Sequence, residues 1–300
     1  MDIKFAKMHG LGNDFVVIDD TADAIDFAPE ALEWFCDRNY GIGGDGLILI
    51  RPAADDAADF FMAYYNADGQ QAEMCGNGIR CLVKYVVDHG LAGDDDTVTV
   101  ETLSGLKKVT VTRDENGLAE MMTVDMGVPS VKAPEVPTTV DEDIVVGCPM
   151  PTEAGTLMVT AVSMGNPHCV IVVDDVNEAP VDTIGPLVEN DPRFPEKTNV
   201  EFAQLIDKNT IALRVWERGV GETLACGTGA CATLVAFSLL CMTERSATVE
   251  LPGGELEIVW AEDDHVYMTG PAAEVFEGVV CVSEDDAEDD AEDDTAQAES

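Results

Sequence analysis

Basic residues are scarce in this chain. Against 59 Asp and Glu stand 16 Lys and Arg in 300 residues, giving a formal net charge of −43. A surface of that sign repels nucleic acid and anionic membranes, so neither is an expected partner. Histidine is rarer still, at four, and no two of the nine cysteines are spaced Cys-x-x-Cys. Finger and ribbon spacing for zinc is therefore absent, and no metal is expected. Lysines are few and none lies beside a cysteine-glycine turn, which argues against a Schiff-base cofactor such as pyridoxal phosphate. Gly-x-x-x-x-Gly-Lys is missing, and Gly10-Leu11-Gly12-Asn13 lacks the third glycine of a dinucleotide fingerprint. The opening residues, Met1 to Phe5, show no basic stretch leading into an apolar one. A cytoplasmic protein with reduced thiols is expected. From Thr223 to Thr243 there is no charged side chain, but the apolar part of that run is only Ala230 to Met242. Such a length suits a buried core helix rather than a membrane span.

The acidity is spread along the chain. Residues 284–300 hold 10 acids and no base, which leaves −33 on the rest. The repeating Glu-Asp-Asp-Ala of residues 283–300 has nothing to bury and is expected to be disordered. For the remainder we expect adaptation to molar salt, where the Debye length is ~3 Å.

What is present in duplicate is more informative. Met74-Cys75-Gly76-Asn77-Gly78 and Ala225-Cys226-Gly227-Thr228-Gly229 are near-copies, and Cys75 and Cys226 are 151 positions apart. Tyr65-Asn66 and Trp216-Glu217 keep the same offset of 151, and Gly12-Asn13 precedes Gly165-Asn166 by 153. Three landmarks in register indicate a duplicated domain. Apolar runs such as Phe15–Asp19, Leu47–Ile50 and Phe60–Tyr65, and the alternating Thr97–Thr102, read as strands separated by turn signals. Helices are expected over Pro29–Asn39, Ile79–His89 and Ala230–Met242, the last apolar all round. The proline-rich stretch Pro129–Pro151 reads as the passage between domains. The domains expected are residues 1–126, joined by a returning strand at about 270–282, and residues 127–269.

Glycines at a helix start let backbone N–H groups converge on an anion, and the helix N-terminus adds partial positive charge. The same setting is expected to lower the pKa of an adjacent cysteine from ~8.5 toward neutrality. One turn can thus grip a carboxylate and activate a thiol beside it. Two such turns supply a proton acceptor and a proton donor. Cys36, Cys81, Cys148, Cys231, Cys241 and Cys281 read as small hydrophobes instead.

At this point the chain resembles a known family. Met8-His9-Gly10-Leu11-Gly12-Asn13-Asp14-Phe15, Tyr65-Asn66-Ala67-Asp68-Gly69, Glu73-Met74-Cys75-Gly76-Asn77-Gly78-Ile79-Arg80-Cys81, Gly165-Asn166-Pro167-His168, Thr198-Asn199-Val200-Glu201-Phe202 and Trp216-Glu217-Arg218-Gly219 through the second thiol turn look like diaminopimelate epimerase, over roughly residues 1 to 282. The resemblance implies an α+β fold of two pseudo-symmetric domains, each an antiparallel β-sheet or barrel curled around a central helix, with the active site in the cleft between them. It implies cofactor-independent interconversion of LL- and meso-2,6-diaminopimelate in lysine biosynthesis, and a homodimer. Cys75 and Cys226 would be the acid/base pair. Gly76, Asn77, Gly227 and Thr228 would hold the carboxylate at the reacting centre. Asn66, Asn166, Asn199, Glu217 and Arg218 would hold the far end, with Asn13 lining the site. His168 either orients a thiol or closes the Asn-Pro turn. Some members of the family carry Gln where this chain has Gly46. The alternative reading is a proline or hydroxyproline racemase of the same fold; an imino acid has no second amino-acid end for Glu217 and Arg218 to grip.

Overall fold

The computed structural model describes residues 1–93 and 95–282. The acidic tail expected to be disordered lies outside them. The first half runs β1 (Asp2–Gly10), β2 (Asn13–Asp19), α1 (Pro29–Cys36), β3 (Gly46–Arg51), β4 (Phe60–Asn66), β5 (Gln71–Ala72), α2 (Gly76–Asp88), β6 (Thr97–Thr102), β7 (Gly105–Arg113) and β8 (Ala119–Asp125). The second runs β9 (Cys148–Thr152), β10 (Gly155–Ser163), β11 (Pro167–Val172), α3 (Val181–Glu189), β12 (Asn199–Asp207), β13 (Thr210–Glu217), β14 (Gly221–Thr223), α4 (Gly227–Leu239), β15 (Ser246–Leu251), β16 (Gly254–Trp260), β17 (Val266–Gly270) and β18 (Ala273–Cys281).

The duplication is written in the strand pairings. β1–β2, β3–β4, β6–β7 and β7–β8 pair antiparallel, as do β10–β11, β12–β13, β15–β16 and β16–β17. The sheets are not purely antiparallel. β2–β3 and β4–β6 are parallel, and so are β11–β12 and β13–β15. Each of these four pairs is bridged by one of the four α-helices among the described residues, the crossover that a parallel connection requires. β18 lies against β1 as β9 lies against β10, so β18 supplies to the first half what β9 supplies to the second. β8 pairs with β17 and joins the halves.

Each half curls around its central helix. On α2, Ile79, Leu82, Val83 and Val86 are fully buried. α4 is buried on every side, through Ala230, Leu234, Val235 and Phe237, as its uncharged run requires. No helix is long and apolar enough to cross a membrane among the described residues. Helix α2 ends where expected, with Gly90 at φ +69° just beyond it.

Several elements depart from the sequence reading. β1 was not expected: its apolar positions fall out of alternation between Phe5 and Ala6. α3 was not expected either, because Gly185 and Pro186 lie inside it. Gly185 is required there by Trp216, whose Cγ a Cβ would approach to 2.5 Å. Pro129–Pro151 is more than a passage. It bridges to Ser163 through Ser130, and its end forms β9. Pro149 and Pro151 are tolerated because β9 is paired on one side only.

Candidate active site

Cys75 and Cys226 occupy equivalent places, each the N-cap of its half's central helix. Their backbones match, at φ −132°, ψ 122° and φ −125°, ψ 109°. Each sulfur accepts from the N–H three residues on, Gly78 or Gly229, at 3.4 Å. Glycine at the next position in both copies leaves room for Met268, whose side-chain end a Cβ at Gly76 or Gly227 would meet at 3.0 Å. This one β17 side chain thus packs under both helix starts. Both turns open onto a single cleft of about 2140 Å³ between the halves, also lined by Asn66, Glu217 and Arg218.

The thiols are not depressed as the helix-start argument expects. Burial pushes the Cys75 thiol up, opposed by the N–H groups of Gly78 and Asn77. Burial pushes Cys226 further, and the carboxylates of Glu217 and Glu201 add to it. Desolvation of a thiolate outweighs a few convergent dipoles at these sulfurs.

Around Cys75, the Asn13 carboxamide oxygen lies 3.7 Å from Sγ and accepts from Asn77 Nδ2 at 3.1 Å. The Asn13 amide nitrogen donates to Asp45 at 2.8 Å. Asp45 and Asp14 share Arg38 at 2.8 and 2.7 Å, and Asp14 also pairs with Lys7 at 2.5 Å. Around Cys226, the Thr228 hydroxyl lies 3.6 Å from Sγ and receives Asn166 Nδ2 at 3.3 Å. Asn166 Oδ1 is held by His168 Nε2 at 3.0 Å, and His168 Nδ1 by Glu201 at 2.6 Å. His168 and Glu201 are both fully buried. His168 thus connects toward Cys226 through Asn166 and Thr228.

Asn199 is buried and braces its neighbours: its amide donates to the Pro167 carbonyl at 2.9 Å and its oxygen receives Arg218 N–H at 3.0 Å. Arg218 faces the cleft, its guanidinium anchored on the Glu196 carbonyl at 2.9 Å. Glu217 accepts from the Thr223 hydroxyl, and burial raises its pKa. Asn66 lies exposed at the end of β4, opposite Gly46. A side chain at Gly46 would strike the Tyr64 ring and the Tyr65 carbonyl, both at 2.7 Å. Tyr64 therefore occupies the space that a residue there would use, and it lines the cleft. Glu201, Tyr64 and Arg80 lie outside the set expected from sequence. Arg80 stood in a quoted motif, and Glu201 lies in the Asn199 motif, but neither type nor spacing signals what it touches.

The family described as diaminopimelate epimerase matches the chain over residues 5–132 and 160–275. A diaminopimelate epimerase of Methanococcus maripaludis is 50% identical over 279 residues, covering 93% of this chain and 99% of that protein. One of Acetivibrio thermocellus is 48% identical over 283 residues, 94% of this chain and 100% of that one. Among solved structures, a hydroxyproline epimerase of Agrobacterium vitis superposes with a TM-score of 0.68 at 15% identity, covering 93% of this chain and 92% of its own. A PhzF-family phenazine biosynthesis protein of Bacillus anthracis gives 0.66 at 15%, over 94% and 100%. These structural likenesses establish the shared two-domain fold. The family match and the end-to-end identity to its relatives make the chain a member of the diaminopimelate epimerase family.

Proposed function

We propose that this protein is an isomerase interconverting LL- and meso-2,6-diaminopimelate, in lysine biosynthesis, with Cys75 and Cys226 as its acid/base pair and no cofactor. The observation that carries the reading is the pair of equivalent thiol caps opening onto one cleft that also holds Glu217 and Arg218. In this mechanism one cysteine, as thiolate, removes the α-proton. The electron pair passes into the adjoining carboxylate, held by the first-turn N–H groups of Gly76, Asn77, Gly227 and Thr228, which have no intrahelical partners. The other cysteine, as thiol, returns a proton to the opposite face and becomes the thiolate. Arg218 suits the distal carboxylate through its planar fork, and Glu217 suits the ammonium. Asn66, Asn166 and Asn199 complete that end, with Asn13 lining the site and His168 steadying Asn166.

The same reading divides the chain at residues 126 and 269, supported by the pairing of β18 with β1. It places the protein in the cytoplasm. It also includes a homodimer, supported by exposed Val275, Phe276 and Val279 on β18, whose pairing among the described residues is with β1 alone.

Proton exchange decides between diaminopimelate and the imino-acid alternative. In D₂O, solvent deuterium should enter the α-carbon of diaminopimelate and not that of proline or hydroxyproline. Exchange into proline alone would reverse the assignment.

A further inference from the structure

The duplicated halves are not electrostatic copies. Arg80 is the fifth residue after Cys75, and its counterpart after Cys226 is Cys231. Both are fully buried. In the register of the paired strands, His168 and Glu201 of the second half correspond to Phe15 and Ile48 of the first. The first half thus sets a guanidinium and two apolar side chains where the second sets a thiol and a histidine–carboxylate pair.

Arg80 has no anionic partner among the described residues. Its Nε donates to the Pro271 carbonyl at 3.1 Å, Nη1 to the Gly76 carbonyl at 3.0 Å and to Met268 Sδ at 3.8 Å, and Nη2 to Asn77 Oδ1 at 2.9 Å. All four acceptors are neutral. A buried cation with its donors satisfied but its charge unmatched favours a negative charge nearby. The ionisable groups whose charge acts on it are the thiols of Cys81, Cys75 and Cys231. Burial pushes Cys81 and Cys231 up to about 12, so both keep their protons at neutral pH. Cys75 remains, and its sulfur also receives helix-start N–H groups. Burial raises Cys75 too, and Glu217 acts on it against Arg80 and more strongly than Arg80 does, with the Tyr64 phenol on β4 also near it. Cys226 has Glu217 and also Glu201, whose Oε1 would lie 2.9 Å from a Cβ at Gly229, in the first turn of the helix that Cys226 caps.

We propose that Arg80 is a positioning residue whose buried charge breaks the symmetry of the two halves, so that Cys75 gives up its proton more readily than Cys226. The fold then favours one starting arrangement of base and acid over the other. The inference rests on the acid/base reading of these cysteines. Its test reads protonation without turnover, so the two fail separately: inactive alanine variants speak to the pair, alkylation midpoints to Arg80.

The experiment is the pH dependence of iodoacetamide alkylation, resolved residue by residue by mass spectrometry, for the wild type, Arg80→Lys and Arg80→Met. Midpoints are compared rather than rates, because Cys226 is only 5% exposed. The wild type should show a lower midpoint for Cys75 than for Cys226. Arg80→Met should raise the Cys75 midpoint by about one pH unit, slowing its alkylation at neutral pH about tenfold. Arg80→Lys should restore most of that. A Cys75 midpoint unmoved in a folded Arg80→Met overturns the inference, as does a wild-type Cys226 midpoint at or below that of Cys75. Should circular dichroism show Arg80→Met unfolded, the wild-type order and its retention in Arg80→Lys decide the matter, and a reversed order in either overturns it.

Discussion

The side-chain amide of Asn77 donates to the backbone carbonyl of Ala225 at 3.2 Å, linking the start of one central helix to the residue before the other half's thiol. Its polarity is determined by Arg80, which occupies Asn77 Oδ1 and leaves the amide nitrogen to face Ala225 and Asn13. Replacing Asn77 with Leu should orphan Arg80 Nη2 and the Ala225 carbonyl, at about 1–3 kcal/mol for each buried group. Urea unfolding measures this. A loss below about 0.5 kcal/mol, the range of an ordinary surface substitution, would show that the link does not hold the halves together.

Both thiols are required if the base that takes a proton from one face cannot return it to the other. Cys75→Ala and Cys226→Ala should each abolish epimerisation, since a general acid or base contributes about 10²–10⁴-fold. Serine should be nearly as damaging, being a far weaker acid. In D₂O the product should gain α-deuterium early while recovered substrate gains little. Equal early labelling of both would point to a single shuttling base.

Arg218 keeps its charge but loses its planar fork on change to Lys. Diaminopimelate binding should weaken by about 1.5–3 kcal/mol, read as a raised KM. If Arg218→Lys and Arg218→Ala both leave KM and kcat untouched, the distal carboxylate is held elsewhere.

Acid stability should pass through Asp14. Burial raises its pKa, but hydrogen bonds from Arg38 and Lys7 prevail and hold the carboxyl at about 2. With a folded pKa below the unfolded value of about 3.9, its contribution is present above that value and is lost as pH falls through about 2. Asp14→Asn should therefore destabilise the protein at neutral pH, and the difference from wild type should shrink toward zero near pH 2. A difference constant across that range would remove the ion pairs as its cause.

Salt should stabilise the fold. With −33 carried outside residues 284–300, self-repulsion is large when screening is weak. Unfolding midpoints should climb from low salt to molar KCl, and flat midpoints would contradict adaptation to a saline interior.

Where a property depends on local pattern, this chain states it openly. Cys75 and Cys226 are found by spacing, because a Cys-Gly-x-Gly turn needs glycine wherever it occurs and duplication preserves its offset. Alternation marks Thr97–Thr102, and the uncharged run around Phe237 announces a helix buried on all sides. Properties set by partners distant in the chain were decided only on folding. Strand β1 hides behind the break in alternation between Phe5 and Ala6, and α3 carries Gly185 inside it because Trp216 takes the space a Cβ would need. The thiols sit high, not low, because burial is a tertiary quantity that no helix start reveals. Arg80 appears in its motif as one more surface-compatible cation. Only the convergence of Gly76, Asn77, Met268 and Pro271 around it, from segments nearly two hundred residues apart in the chain, makes it a buried charge held by neutral acceptors.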